Sequence, residues 1–401
     1  MSVWSALVGQ ESAAAQFRRA AADAHAEAED PAATSAMTHA WLIVGPPGSG
    51  RSVAAVAFAS ALVCPDLGCG HCRACADVAS GMHPDVTVVR PSGVIMGVEQ
   101  TRGLVGRIGV MPTRGDWNVI VIEDADRLNE HADNALLKSL EEPPPHGVWV
   151  LCAPSLDDVL PTIRSRCRVV RLRTPPIDEV AEHLQQVDAV DPAMASYAAR
   201  VAQGHIGRAR ALATDPEVRV RHQRVLGFPH RLGSVAGCLA AASEIIGDAR
   251  DQVGAVAEPL EAAEVAAVLR AHGEGGTGAG SARSRASSAL KELEKDQRNR
   301  RRRLLRDELD RVLLDLLGLY RDVLAVMCGA EVQLVNAQAR AEIERLVAQG
   351  DPATALAAVS AVSHARESLA ADGSEELVFA TLALKLQQAS SGTARAGLPR
   401  R

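Results

Sequence analysis

The sequence predicts an α/β domain with a parallel sheet covered by helices on both faces, followed by a small helical region and an all-α C-terminal region. Short apolar runs alternate with helical patterns from Trp41 to Val170, as expected of strands joined by helical crossovers. A glycine-rich loop separates the first apolar run from the next helix. After Pro175-Pro176 the pattern is helical almost throughout.

Length and composition restrict the class of protein. A chain of 401 residues is too long for one ordinary core, so we expect two or three domains. The net charge of -6 argues against a protein that coats nucleic acid by bulk electrostatics. The N-terminus lacks the pattern of a secretory signal, which predicts a cytoplasmic protein without a membrane partner. In that reducing compartment, the eight cysteines of the chain are expected to be thiols or metal ligands rather than disulfides.

Breaks in the pattern divide the chain. The predicted parts are a sheet domain at 1–174, a helical lid at 175–231, a helical C-terminal domain at 232–390 and a disordered tail at 391–401. The C-terminal domain is predicted to contain a flexible glycine-rich linker at 272–288.

The segment from Trp41 to Ser52 predicts a phosphate-binding loop. Its glycines lie where a strand turns into a helix, and there backbone amides and the helix N-terminus attract anions. Against the pattern G-x-x-x-x-G-K-[ST], the lysine position holds arginine, whose longer planar head differs from a compact ammonium. Nucleotide could still bind, but fast hydrolysis is not expected; a turn without ligand is the alternative. The candidate contacts are Gly45, Gly48, Gly50, Arg51 and Ser52.

Four cysteines follow the next helix in a loop rich in glycine. Two C-x-x-C spacings are what a tetrahedral thiolate site needs, so we predict a structural zinc ion. A redox dithiol is the alternative, but it normally uses one such pair. Four protein ligands leave the metal no open position, and His71 is then a bystander. The predicted ligands are Cys64, Cys69, Cys72 and Cys75.

Two carboxylates end a later apolar run that begins at Trp117. Glu123 and Asp124 stand where P-loop proteins hold magnesium and an attacking water. The order Glu-Asp reverses the usual Asp-Glu pair. The longer side chain of Glu123 then extends toward the metal and the shorter Asp124 does not reach the water, which argues again against hydrolysis. A solvated acidic turn is the alternative.

Taken together, these motifs resemble a known family. The phosphate loop, the four-cysteine insertion, the segment from Asn134 to Pro143 and the triplet Ser165-Arg166-Cys167 are similar to subunits of the bacterial clamp loader, an AAA+ assembly of the DNA polymerase III holoenzyme. The resemblance covers Val8 to about Pro175 with specific motifs. Beyond that point it depends on helical pattern and the order of elements.

The resemblance implies roles for further residues. Arg166 matches the arginine finger that the family inserts into the ATP site of a neighbouring subunit; an arginine that is merely solvated at a helix end is the alternative. Arg208 lies at or beside the arginine of the family's second sensor on the lid. Cys152-Ala153 stands where active subunits keep a polar sensor.

The resemblance also implies a function. We expect a subunit whose own ATPase activity is absent or weak, which lends Arg166 to a neighbour and helps load the sliding clamp onto primed DNA. Its partners would be the gamma/tau and delta subunits in a heteropentamer, the clamp and, indirectly, DNA. Zinc is the expected cofactor, with ATP and magnesium open. The rivals are an active ATPase that uses Arg51 and a zinc-dependent DNA-binding module.

A run of four arginines, residues 300–303, allows two interpretations. It could contact DNA phosphates, but the surrounding acidic residues favour a solvated helix face. On the following turns an apolar stripe is suited to helix packing, and the family forms its ring-shaped collar here. The stripe consists of Leu305, Leu309, Val312, Leu313, Leu316, Leu317 and Tyr320.

Overall fold

The computed structural model describes residues 2–29, 37–90, 96–128, 130–273 and 279–396. These residues form two compact units, 1–214 and 215–401. None of the described helices combines the length and the apolar character needed to cross a membrane. The division at residue 214 does not separate a lid from the sheet domain, so the three-domain boundaries stay predictions.

The first unit contains a five-stranded sheet in which all pairings are parallel, in the order β2-β3-β4-β1-β5. The three central strands are buried at every residue, which is why they read as continuous apolar runs in the sequence. The strands are β1 (Ala40–Val44), β2 (Val86–Val89), β3 (Asn118–Ile122), β4 (Gly147–Ala153) and β5 (Arg168–Arg171).

Helices cover both faces of this sheet, and each face has its own apolar core. One core includes Phe17, Trp41 and Phe58, and the other is built around Trp149 and Ile120. The predicted fold class is therefore confirmed. The helices are α1 (Glu11–Glu29), α2 (Arg51–Val63), α3 (Arg73–Ala79), α4 (Val98–Ile108), α5 (Glu130–Glu141), α6 (Pro161–Arg164), α7 (Ile177–Val187), α8 (Pro192–Ala202) and α9 (Ile206–Thr214).

A buried aspartate joins the start of β2 to the loop before β3. The Asp85 carboxylate accepts hydrogen bonds from the backbone amides of Thr113 at 2.5 Å, Arg114 at 2.7 Å and Gly115 at 3.0 Å. The Arg114 side chain in turn contacts Asp77 of α3 at 2.8 Å. These bonds fix the end of the cysteine insertion to the sheet.

Replacing Asp85 by asparagine is expected to lower the free energy of unfolding by about 2–4 kcal/mol, because an amide group cannot accept all three N–H donors. Burial acts to raise the pKa of Asp85, but the three amides outweigh it and hold that pKa below its usual range. The carboxylate therefore stabilises the fold above the unfolded-state pKa of about 4, and this contribution is lost as pH falls through the folded-state pKa.

Urea unfolding of wild type and Asp85→Asn between pH 7 and pH 3 checks this prediction. The difference in stability should be full near pH 7 and shrink at the acid end. Asp116→Asn, which changes an exposed carboxylate of the same loop, is the matched control. Equal stability of Asp85→Asn and wild type at pH 7 would contradict the expectation.

The second unit is entirely helical in the part of it that the structure describes. The predicted apolar stripe is confirmed: Leu309, Leu313, Leu316 and Tyr320 are buried in its core, and Leu305 packs against it. The helices are α10 (Pro216–Leu226), α11 (Val235–Gly273), α12 (Ala279–Met327), α13 (Arg340–Gln349), α14 (Pro352–Ala370) and α15 (Glu375–Ala396).

Parts of the predicted linker and of the predicted tail are helical. Helix α12 begins at Ala279, so residues 279–288 are helical; alanine and arginine in this segment favour a helix. The rest of the linker, 274–278, lies outside the described residues. Helix α15 continues to Ala396, into the predicted disordered tail, and residues 397–401 lie outside the described residues.

The arginine run on α12 is engaged in ion pairs. Arg300 contacts Glu264 and Arg301 contacts Glu261, both at 2.5 Å and both on α11. The partner of Arg302 is Asp372, at 3.1 Å, beyond the end of α14. These pairs favour a structural role over contact with DNA phosphates. The main partners lie on other elements rather than beside the run in sequence.

Candidate functional site

The phosphate loop is a strand-to-helix turn, as the sequence predicts. Gly48 and Gly50 have φ values of 84° and 90°, in the left-handed region that favours glycine. A β-carbon on Gly48 would lie 2.4 Å from the ring of His205, so only glycine allows this close approach. Helix α2 begins at Arg51, and Ser52 is its second residue.

The side chain of Arg51 turns back onto its own loop. Its guanidinium donates a hydrogen bond to the carbonyl of Gly45, the first residue of the loop. The carbonyl of Arg51 itself accepts a hydrogen bond from the Cys152 thiol at the end of β4, with a sulfur–oxygen distance of 3.7 Å. The guanidinium at the lysine position therefore satisfies a backbone carbonyl of its own loop.

The acidic pair follows β3, where the sequence places it. The Glu123 side chain is only 7% exposed, and its Oε2 lies 2.6 Å from the Arg90 Nε. The interpretation as a solvated turn is therefore wrong for Glu123. The neighbouring Asp124 is half-buried. Magnesium prefers free carboxylate oxygens. A glutamate already paired with a guanidinium does not fit a ready magnesium site.

Asp126 adds a third carboxylate to this edge of the sheet. Burial raises the pKa of Asp126, and the nearby charge of Asp124 raises it further, while Arg51 acts in the opposite direction. The same acidic residues and Arg51 influence Cys152, whose own pKa is raised by burial. The end of β4 therefore lies in the electrostatic field of both motifs.

Gln10 ties the phosphate loop to the end of the sheet. Its amide nitrogen donates to the Ser49 carbonyl at 3.3 Å and to the Arg173 carbonyl at 2.7 Å. Its amide oxygen accepts from the backbone N–H of Arg173 at 3.2 Å. The sequence gives only a weak signal for this role, the Gly9-Gln10 pair before α1.

The predicted sensor segment contacts the phosphate loop through a histidine. The His205 ring stands against Gly48, and its Nδ1 lies 3.2 Å from the backbone nitrogen of Arg208. Arg208 is half-buried near the start of α9. Sequence reasoning assigned no role to His205, and its position between Gly204 and Gly207 carries no recognisable signal.

Arg166 lies on the surface, just after α6. Its side chain is 34% exposed and forms an ion pair with Glu141 at the end of α5, at 2.5 Å. It also donates to the Thr162 carbonyl at 2.7 Å. In the described residues its contacts are with α5 and α6.

The four predicted metal ligands come together. Their sulfur atoms all lie within 4.8 Å of one another. The sulfur of Cys64 is 3.7 Å from that of Cys69 and 3.6 Å from that of Cys72. A tetrahedral zinc ion with bonds of about 2.3 Å requires sulfur atoms roughly 3.8 Å apart. The cluster therefore fits zinc in both ligand type and spacing.

Backbone amides support these sulfur atoms. The amides of Cys69 and Cys72 point at the sulfurs of Cys64 and Cys69, at 3.4 Å and 3.3 Å. An amide hydrogen bond from His71, joined by one from Cys72, lowers the pKa of Cys69 to about 6. Burial raises the pKa of Cys75. The His71 ring is exposed, as expected of a bystander.

The N-terminal segment is fixed to the metal loop. The backbone N–H of Val3 donates to the Gly68 carbonyl, and the Trp4 indole donates to the Leu67 carbonyl, both at 3.0 Å. Gly68 has a φ of 90°, and a side chain there would collide with Val3. The cysteine loop is therefore fixed by hydrogen bonds from the N-terminal segment as well as by the cluster of its four cysteines.

Comparison with known proteins agrees with these motifs. Residues 22–176 match the family model described as DNA polymerase III, delta subunit. The delta-prime subunit of DNA polymerase III from Pseudomonas aeruginosa is 40% identical over 32% of this chain and 41% of its own length. The tau subunit from Escherichia coli is 30% identical over 45% of this chain and 29% of its own length.

A gamma subunit-related protein from Thermotoga maritima has a TM-score of 0.33 and 18% identity, over 68% of this chain and 94% of that structure. The chain spans about half the length of the curated delta-prime relatives that it matches first, between 41% and 54%. Over residues 22–176, the chain is therefore similar to delta-prime subunits of DNA polymerase III.

Proposed function

We propose that this chain is a delta-prime-type subunit that does not hydrolyse ATP itself, lends Arg166 to an adjacent ATPase subunit and helps load the sliding clamp onto primed DNA. The hydrogen bond from Arg51 to the Gly45 carbonyl carries the first part of the proposal. A guanidinium held on its own loop is not positioned to stabilise charge on a transferred phosphoryl group.

The acidic residues support the same conclusion. Hydrolysis in P-loop proteins needs a carboxylate that holds magnesium and a group that orients water. Glu123 is paired with Arg90, and the polar sensor position holds the buried pair Cys152-Ala153. ATP can still lie on the glycine-rich loop through its backbone amides and Ser52, so nucleotide binding and turnover are separate questions.

Arg166 supports the second part of the proposal. It is the guanidinium of the Ser-Arg-Cys triplet, it lies at the surface, and its partner Glu141 is itself 48% exposed. An exposed ion pair of this kind is worth only about 0–1 kcal/mol, so it can be exchanged for a neighbour's phosphate at small cost. Arg166 would then act as a finger in trans.

Zinc would act as a structural cofactor in this proposal, held by the four cysteines. The proposed partners are the gamma/tau and delta subunits in a heteropentamer, with the clamp and primed DNA reached through that assembly. The relatives that match this chain include subunits named delta-prime, gamma and tau.

The purified chain, assayed with clamp and primed DNA but without other subunits, is expected to show no steady ATP hydrolysis above background. Arg51→Ala should leave that background unchanged, since Arg51 takes no part in turnover. Phosphate release measured over many enzyme equivalents checks this. Steady hydrolysis that Arg51→Ala abolishes would instead establish the rival, an active ATPase.

A further inference from the structure

Arg90 and Glu123 form an ion pair where a P-loop protein would hold its divalent cation. Arg90 directly follows β2 and Glu123 directly follows β3, and these strands are parallel neighbours. Both side chains therefore start from the same edge of the sheet. The Arg90 Nε lies 2.6 Å from the Glu123 Oε2.

The two partners differ sharply in exposure. The Arg90 side chain is 69% exposed, whereas that of Glu123 is 7% exposed. A buried carboxylate without a counter-charge is costly, and Arg90 supplies that charge while keeping its own head in water. Within the described residues, the second oxygen of Glu123, Oε1, is buried and has no hydrogen-bond partner. With the positive charge of Arg90 removed, that oxygen could bind a cation.

We infer that Arg90 is a built-in counter-ion that takes the place of a divalent cation at Glu123 and so keeps this site from holding metal. The inference deepens the proposed function and rests on it, because it names the residue that keeps the acidic site inactive. A metal ion and the guanidinium compete for one carboxylate. The free energy by which Arg90 disfavours metal binding should therefore be gained when Arg90 is removed.

The residues beside the pair favour this competition. Glu123, Asp124 and Asp126 place three carboxylates within four consecutive residues. Arg127 lies 3.8 Å from Asp124 and offsets part of that charge. Without Arg90 the edge of the sheet becomes more negative and offers oxygen ligands, which hard divalent cations prefer.

The test measures Mn²⁺ binding to the full chain by the electron paramagnetic resonance signal of the free ion, at pH 8, with and without ATP. We expect Arg90→Ala to tighten Mn²⁺ binding about tenfold or more. Arg102→Ala is the matched control, since Arg102 is an exposed arginine paired with exposed Glu99 at 2.8 Å. It should bind Mn²⁺ like wild type. The gain should disappear in the double variant Arg90→Ala, Glu123→Gln.

Arg90→Gln guards against loss of folding, because it removes the charge but keeps a donor for Glu123; circular dichroism identifies which variants are folded. Arg90→Lys retains the charge and should behave like wild type. Equal Mn²⁺ affinity of wild type and Arg90→Gln, or a gain that survives Glu123→Gln, would overturn the inference. Neither result would touch the role of Arg166, which is measured in the assembled complex.

Discussion

Replacing Arg166 by alanine is expected to lower ATP hydrolysis at the neighbouring site of the reconstituted clamp loader by about three orders of magnitude or more. An arginine finger stabilises the charge that develops on the transferred phosphoryl group, and its loss costs roughly 10³–10⁵ in turnover at one site. The structure leaves the Arg166 head partly exposed, in contact with Glu141, the Thr162 carbonyl and the Ser165 hydroxyl. Steady-state phosphate release by the assembly measures the effect.

Arg164→Ala is the matched control, since Arg164 ends the short helix α6 two residues before Arg166 and pairs with exposed Asp157 at 3.6 Å. Its assembly should hydrolyse ATP like wild type. Glu141→Gln frees Arg166 and should preserve or raise turnover. Subunit composition must be checked by gel filtration, because a weaker assembly would mimic the loss. Unchanged turnover in an intact Arg166→Ala assembly would refute the finger role.

Loss of one ligand of the predicted zinc ion is expected to destabilise the first unit about as much as a large core truncation. Structural zinc contributes roughly 10–16 kcal/mol of apparent binding free energy in small finger peptides, and part of this should be lost with one ligand. Cys75→Ser removes a buried ligand at the start of α3. We expect a loss of about 3–5 kcal/mol, which corresponds to a Tm lower by roughly 10 °C or more.

Zinc content and thermal unfolding of the same preparations check this prediction. Wild type should carry about one zinc ion per chain, and Cys75→Ser should carry much less. Cys328→Ser is the control, because Cys328 is an exposed free thiol outside the cluster. A Cys75→Ser protein with the Tm and zinc content of wild type would exclude a structural metal.

The sheet and the cysteine cluster could be predicted because their signals are local. Buried parallel strands are apolar at every position, as in Ala40–Val44 and Asn118–Ile122. The two C-x-x-C spacings place the sulfur atoms in one short loop, and the sulfur distances agree with tetrahedral geometry. Each strand can be recognised from its own residues, and in the cysteine loop the neighbours in sequence are also the residues that must come together.

The remaining features depend on residues far apart in sequence. Arg90 meets Glu123 only because β2 and β3 are neighbours, and no local pattern announces that pair. The partners of Arg300 and Arg301 lie on another helix, more than 35 residues earlier in the sequence, so the run itself does not identify them. The rotamer that returns Arg51 to the Gly45 carbonyl is likewise invisible in the motif.

The strand order has a consequence for synthesis on the ribosome. Strand β1 pairs with β4 and β5, which are translated roughly 100 residues later, so at about 5–20 residues per second it waits some 5–20 s for its neighbours. The four cysteines of the cluster lie between residues 64 and 75 and emerge during this interval. The cluster that is predicted to bind zinc is therefore synthesised before the sheet can close, while the apolar β1 segment is still without its neighbouring strands.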